Sequence, residues 1–389
     1  MAVASPDRDI ASPSVLAIAR EWGRIGVVGF GGPPAHIALL RELCVERRRW
    51  LAARELEDAI AACNLLPGPA STQLAVFCAW RIRGAAGALV GGACFVVPGL
   101  ALILTLSALF LAESPPEWVR GAGAGAGAAV AAVALHAGSR LVPDSWLRAR
   151  SQLGWLAYAG AGALAAATLG AWLVLVLLGS GLLELARRGV RTPSSPALAL
   201  VPFPLLAAAG GSGLLGLAWV AFKVGALSYG GGFVIVPLME SDAIARYHWL
   251  SAGQFVAAVA LGQVTPGPVV HTVAAVGYGA AGIGGGLLAA LVAFAPSFAF
   301  VLLGAPRFHR LRGDERARAF LDGAGPAAVG AILGSAIPLA RALGETWQYG
   351  VLAGAAALLF GARRGVVATL LAAGAAGVLA TLAGAPLPV

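Results

Sequence analysis

Charge is what this chain has least of. Only 12% of its 389 residues are charged, against 59% hydrophobic, and the mean hydropathy is +0.83. That balance excludes a soluble globule and fits an integral membrane protein, with many apolar stretches near the roughly 20 residues that span a bilayer. Lysine and asparagine occur once each, as Lys223 and Asn64. The net charge of +9 sits on arginines in short connections, so it reports orientation in a membrane and not nucleic-acid binding. Cysteine is sparse too: Cys44, Cys63, Cys78 and Cys94 show no C-x-x-C spacing, and three lie in apolar segments where a reduced thiol acts as a small hydrophobe. No H-E-x-x-H, G-x-S-x-G or P-loop is present, so metal, acyl-enzyme and nucleotide chemistry are not announced and no cofactor is called for. Met1 to Ser14 is polar, without the basic stretch and apolar core of a cleaved signal.

What the chain does have is proline and glycine inside apolar segments. One stretch occurs twice: Asn64-Leu65-Leu66-Pro67-Gly68-Pro69 and Gln263-Val264-Thr265-Pro266-Gly267-Pro268. Proline removes a donor and pushes its predecessor off the α region, so a helix cannot run through Pro-Gly-Pro undisturbed. In hydrocarbon the freed backbone groups are tolerable only against protein or a wet cavity. Matching breaks in two halves of a membrane chain point to a transporter's substrate site.

The halves match well beyond these breaks. Phe30-Gly31-Gly32 pairs with Tyr229-Gly230-Gly231, and Trp50-Leu51 with Trp249-Leu250, both displaced by the same 199 positions as Pro-Gly-Pro. The register also sets Arg24 on Lys223 and Asn64 on Gln263. A first repeat is expected over residues 14–190, a Pro-rich linker over 191–212 and a second repeat over 213–389. The Gly/Ala run Gly121 to Val133 reads as a close-packing helix face.

Loop charges set the orientation. Arg41 to Arg54 is strongly basic, while its counterpart Glu240 to Ser251 carries Arg246 against Glu240 and Asp242; the acidic turn Glu113 to Glu117 is answered by the basic run Arg307 to Arg312. By the positive-inside rule the halves face opposite ways. If Leu56 to Trp80 returned on itself at Pro-Gly-Pro, every basic cluster would lie inside. The expected fold is therefore an all-α integral membrane protein of two inverted-topology repeats, with about ten spanning helices plus two re-entrant broken-helix hairpins. Twelve full spans are the alternative.

The candidate site follows from cost. Arg24 and Lys223 near mid-membrane each cost about 2.5–3.5 kcal/mol on insertion scales, so each needs a carboxylate or an anion. Glu21 is the nearest partner for Arg24, and no acid precedes Glu240 in the segment of Lys223. The second arms open with Ala70-Ser71-Thr72-Gln73 and Val269-Val270-His271-Thr272, offering amides, dipole ends and hydroxyls to an anion, although Ser71 and Thr72 could equally cap the helices. Gly31, Gly32, Gly230 and Gly231 allow backbone approach to an oxyanion or tight packing. His36 and His271 are proton carriers, anion donors or structural residues.

With Phe30-Gly31-Gly32-Pro33-Pro34-Ala35-His36-Ile37, Leu65-Leu66-Pro67-Gly68-Pro69, Thr72-Gln73, Val97-Pro98-Gly99 and the second copy around Gly230 to Pro268, the chain resembles the chromate ion transporter family, in its long, ChrA-type form. The resemblance covers both halves. It implies a multi-pass protein of the bacterial inner membrane that exports chromate, a tetrahedral oxyanion, with a duplicated, inverted domain in the lipid bilayer; sulfate or another tetrahedral oxyanion as the cargo of the same architecture is the alternative. A homodimer stays open. The rivals are an oxyanion channel and an intramembrane enzyme. The enzyme reading lacks paired carboxylates, because only Glu21, Glu57 and Asp58 lie near the first break. Val270-His271 stands where the first copy has Ser71-Thr72, so unequal roles are expected of the two breaks.

Overall fold

The structure, a computed structural model, describes residues 13–66, 68–189, 213–228, 233–305 and 314–388. Pro67, Gly230, Gly231, the linker at 191–212 and the basic run at 307–312 lie outside these residues. All regular structure among the described residues is helical. The first half contains α1 (Val15–Val28), α2 (Pro33–Arg41), α3 (Ala53–Cys63), α4 (Ala70–Phe110), α5 (Glu117–Arg148), α6 (Gln152–Thr168) and α7 (Leu173–Arg187). The second contains α8 (Leu214–Leu227), α9 (Ile235–Ser241), α10 (Ala252–Val264), α11 (Thr272–Gly304), α12 (Glu315–Arg341), α13 (Thr346–Ala356) and α14 (Val366–Leu382). Four stretches, Ala70–Phe110, Glu117–Arg148, Val269–Gly304 and Glu315–Arg341, are long and apolar enough to cross a bilayer, and several shorter apolar helices accompany them. The chain is thus a multi-pass membrane protein.

Local chemistry sets many ends. Ser14 caps α1 by accepting from the Ala17 amide, Ser251 and Gln254 form a capping box on α10, and Asp314 accepts from the Arg316 amide at the start of α12. Two of the longest helices are divided inside. α4 leaves helical geometry at Arg83 (φ −140°, ψ 23°) and Gly84 (φ 62°, ψ −151°), and α11 at Ala281 (φ −156°, ψ 36°) and Gly282 (φ 61°, ψ −154°). A positive φ of this kind is glycine's region, and the chain doubles back there. A Cβ on Gly87 would stand 2.2 Å from the Ala79 carbonyl, and one on Gly285 2.2 Å from the Gly277 carbonyl.

The short arm before each turn also folds back on the preceding helix. Arg81, near the end of the first arm, is ion-paired at 2.8 Å with Glu55 at the start of α3. In the second half a Cβ on Gly279 would lie 2.3 Å from Leu250, just ahead of α10. Gly68-Pro69 and Pro266-Gly267-Pro268 therefore each stand at the far end of two helical arms whose feet lie together. The tips keep the 199-residue register, while the turns at Gly84 and Gly282 and the prolines Pro98 and Pro296 are displaced by 198, so the second hairpin is one residue shorter.

The halves interlock. α5 packs on α13 and α14 of the second half, and α12 packs on α6 and α7 of the first. The small residues read as a packing face allow this. A Cβ on Gly125 would stand 2.3 Å from the Ala373 carbonyl, and one on Gly330 only 1.8 Å from the Ala159 carbonyl. One continuous apolar cluster joins both halves through Trp22, Leu74, Phe95, Val220, Phe255 and Val273.

Candidate functional site

The tips are placed by what each hairpin rests on. Gly68 (φ 112°) lies against Gln73 of its own arm and against the Gly225 carbonyl and Ser297 of the second half. Gly267 (φ 92°) lies against His271 and the Phe95 carbonyl, and its amide donates to the Gly29 carbonyl of the first half at 2.9 Å. Each tip is thus seated on helices of the opposite half, beside Pro98-Gly99 or Pro296-Ser297. Added carbon has no room at either seat: a Cβ on Gly68 would be 2.7 Å from Gln73 Nε2, and one on Gly267 2.9 Å from His271 Cε1.

Beside the seated tips opens a cavity of about 1410 Å³. Its lining includes the exposed Gly31 and Asn64, the half-buried Gly32 and Ala70, and the buried Gly68, Gln263, Thr265, Gly267 and Val269. Sequence reasoning placed Asn64 and Gln263 at matched positions, and the structure brings both onto this one surface. Gln263 is only 8% exposed, and its Nε2 has no hydrogen-bond partner. The arms that follow the tips begin here. The Thr72 and Gln73 amides bond back to the Pro69 carbonyl and the His271 amide to Pro268, whereas the amides of Ala70, Ser71, Val269 and Val270 have no acceptor among the described residues, with Ala70 and Val269 on the lining. At α2, by contrast, Pro33 and Pro34 occupy the first helical positions, so Gly31-Gly32 brings backbone to the cavity but few amide hydrogens.

Several candidates lie elsewhere. Ser71, Thr72, Gln73, His271 and Thr272 are buried behind the tips and do not line the cavity. Neither Ser71 nor Thr72 caps α4, whose N-cap is Pro69 without a side-chain bond. Thr272 bonds the Val269 carbonyl at 2.8 Å. Pro266 and Pro268 are buried beside Gly267 without lining the cavity. His36 is buried, with Nε2 donating to the Gly29 carbonyl at 2.9 Å and its ring edge-on to Phe95 at 5.0 Å. His271 meets Phe294 in the same way at 5.3 Å.

The two cations need correction. Lys223 was expected to have no nearby acid; its ammonium is ion-paired with Asp242, and both side chains are almost wholly buried. Asp242 opens a π-helical turn after α9, which folds back onto α8 and also brings Arg246 to 3.6 Å. Glu21 does not serve Arg24 either. It is ion-paired with Arg47 and bonded by Arg48 at 2.6 Å, from the equivalent turn after α2, while Arg24 is exposed and forms no ion pair with a described residue. In both halves, then, an ion pair ties the first helix to the π turn, wholly buried in the second half and half-exposed on its arginine side in the first, with the signs exchanged: acid on α1 in one, base on α8 in the other. Neither Arg24 nor Lys223 lines the cavity.

Residues missed in the sequence line the exposed end of the cavity: Arg140, Arg148, Arg318, Arg363 and Arg364. They come from three distant segments, and the basic pair ahead of α14 is the sequence signal that could have found them.

The sequence profile described as chromate transporter matches residues 16–185 and 215–378. The chain is 33% identical over 330 residues to a chromate transport protein of Cupriavidus metallidurans, covering 82% of this chain and 80% of that protein. It is 31% identical over 378 residues to a chromate transport protein of Pseudomonas aeruginosa, covering 91% and 89%. A probable chromate transport protein of Synechococcus elongatus is 28% identical, covering 84% and 85%. No solved structure matches.

Proposed function

This chain belongs to the chromate transporter family, and from that premise we propose that it is a secondary active exporter of chromate and related tetrahedral oxyanions across the bacterial inner membrane. The observation that carries the reading is the convergence of both Pro-Gly-Pro hairpins on one cavity, with Asn64 and Gln263 on its wall. Opposed helix starts supply about half a positive charge each and free amides, which suit an anion accepting hydrogen bonds on every oxygen. The carboxamides of Asn64 and Gln263 add NH₂ donors, and Thr265 adds a hydroxyl. A site of neutral donors holds a dianion without the deep well that fixed charges would make, so the cargo can leave again.

The inverted repeat and the re-entrant hairpins belong to the same proposal. The two profile segments, the paired backbone turns at Gly84 and Gly282 and the closed hairpin feet support them. By the positive-inside rule the arginine end of the cavity faces the cytoplasm, which fits loading for export. Behind the tips, Phe95, Ser297 and His271 are fully buried, which supports a path closed on its far side, as alternating access requires of a transporter. The test is chromate flux in proteoliposomes with sulfate as competitor. Asn64→Ala and Gln263→Ala should each cut flux by an order of magnitude or more with the protein folded. Normal flux in both would remove the site, and uncoupled, voltage-following flux would identify a channel.

A further inference from the structure

The inner site is neutral, but the cavity wall leading to it is not. Five arginines line it, from the end of α5 (Arg140, Arg148), the start of α12 (Arg318) and the approach to α14 (Arg363, Arg364). The acids on the same lining are Asp144 and Asp322, and Asp322 already accepts from Arg188 at 2.7 Å. Arg140, Asp144 and Arg148 follow one another at four-residue spacing on one face of α5, yet among the described residues no ion pair joins them, and none reaches Arg363 or Arg364. His136, one turn before Arg140, also lines the wall, and its buried Nδ1 has no partner.

Backbone geometry holds two of the guanidinium-bearing residues in place. Residues Ala357–Gly361 form a π-helical turn whose exit puts Arg363 at φ 52° and bonds the Arg364 amide to the Leu358 carbonyl at 2.8 Å. The exits of the other two π turns place Arg49 (φ 54°) and His248 (φ 53°) in the same way. Here the exit delivers consecutive arginines to the wall of the cavity.

We propose that this wall is a second anion site, a loading site for doubly charged tetrahedral oxyanions, built from Arg140, Arg148, Arg363 and Arg364 and separate from the neutral site at the hairpin tips. It rests on the reading of the cavity as the substrate path. Exposed cations without an ion-pair partner among the described residues concentrate dianions from solution at a cavity wall, and planar guanidinium forks match pairs of oxyanion oxygens. The cargo then exchanges charged partners for neutral donors as it moves inward. Fixed charge acts on capture, and it is absent where release from the protein is decided.

The experiment measures chromate transport kinetics in proteoliposomes for Arg140→Gln, Arg363→Gln and Arg364→Gln, and for the three matching Lys variants, at low and high salt. Each Gln variant should raise KM about tenfold at about 0.01 M salt with turnover at saturation unchanged, and the difference should shrink near 1 M, where the Debye length falls to about 3 Å. The Lys variants should keep the wild-type salt dependence. Single-cysteine labelling at Ala252 reports insertion, because these arginines could serve orientation alone. Unchanged KM in all three Gln variants overturns the proposal, as do reversed labelling or Lys variants that behave like Gln. Failure of the inner site is read separately, from Asn64→Ala and Gln263→Ala.

Discussion

The ion pair of Lys223 and Asp242 gives a quantitative prediction. Both side chains are almost wholly buried, at 4% and 0% exposure. Two buried charges roughly offset each other when paired, but removing one leaves the other stranded, which typically costs about 3–5 kcal/mol. Asp242→Asn should therefore destabilise the protein by several kcal/mol through the stranded Lys223, while Arg246, 3.6 Å from Asp242 and 42% exposed, stays solvated and adds little. Lys223→Met should cost a similar amount by stranding Asp242, although Arg246 softens that case. The counterpart of Asp242 in the 199-residue register is Leu43, a buried apolar residue within its own π turn, so the fold accepts leucine there. The double variant Lys223→Met/Asp242→Leu should then recover most of the loss, with a coupling energy of at least about 2 kcal/mol, well above the few tenths expected of independent sites. Thermal unfolding in one fixed detergent, beside chromate flux of the double variant in proteoliposomes, measures both consequences. Additive single losses would refute the pair. A stable double variant without flux would return Lys223 to the substrate path.

Replacing Pro67-Gly68-Pro69 by three alanines should abolish flux, because it seals the hairpin tip and drives a Cβ toward Gln73; retained flux would show the break to be a packing device. The same change at 266–268 should also abolish flux, and Gly267→Ala alone should reduce it, since the added carbon would stand 2.9 Å from His271 Cε1. Gly330→Leu should destabilise the protein by more than the usual 1–3 kcal/mol of overpacking, because the Ala159 carbonyl leaves no space; an unshifted melting curve would contradict the helix contact. Cysteines at Ala52 and Arg81 should label from one side of the membrane, and labelling from opposite sides would favour a full crossing.

The sequence made the hairpin tips legible because proline and glycine act on the backbone wherever they stand. Asn64 and Gln263 were found through the constant register, and the cavity unites them. That register failed for charge. It paired Arg24 with Lys223, yet the partner of Lys223 lies on a π turn 19 residues away, where the first half carries leucine. Local spacing likewise pointed from Arg24 to Glu21, and Arg47 and Arg48 reach that carboxylate from a turn whose path no periodicity announces. The hydroxyls of Ser71 and Thr72 read as donors to a site, but the face of the arm that carries them packs inward. The arginines of the cavity wall come from positions 140, 148, 318, 363 and 364, and only the folded chain brings them together.

The crossed seating of the tips bears on how the protein is made. Gly68 rests on the Gly225 carbonyl and Ser297, which leave the ribosome long after Gly68 itself. At ~5–20 residues per second, the first hairpin waits roughly 10–50 s for the helices that receive it. If the hairpin is re-entrant, as proposed, its broken backbone stands in the membrane during that interval without its permanent neighbours, and hydrocarbon gives those groups no partners. On that proposal the seat of the first hairpin is completed only by the second half, and whatever shelters nascent membrane segments would hold this hairpin until nearly the whole chain has emerged.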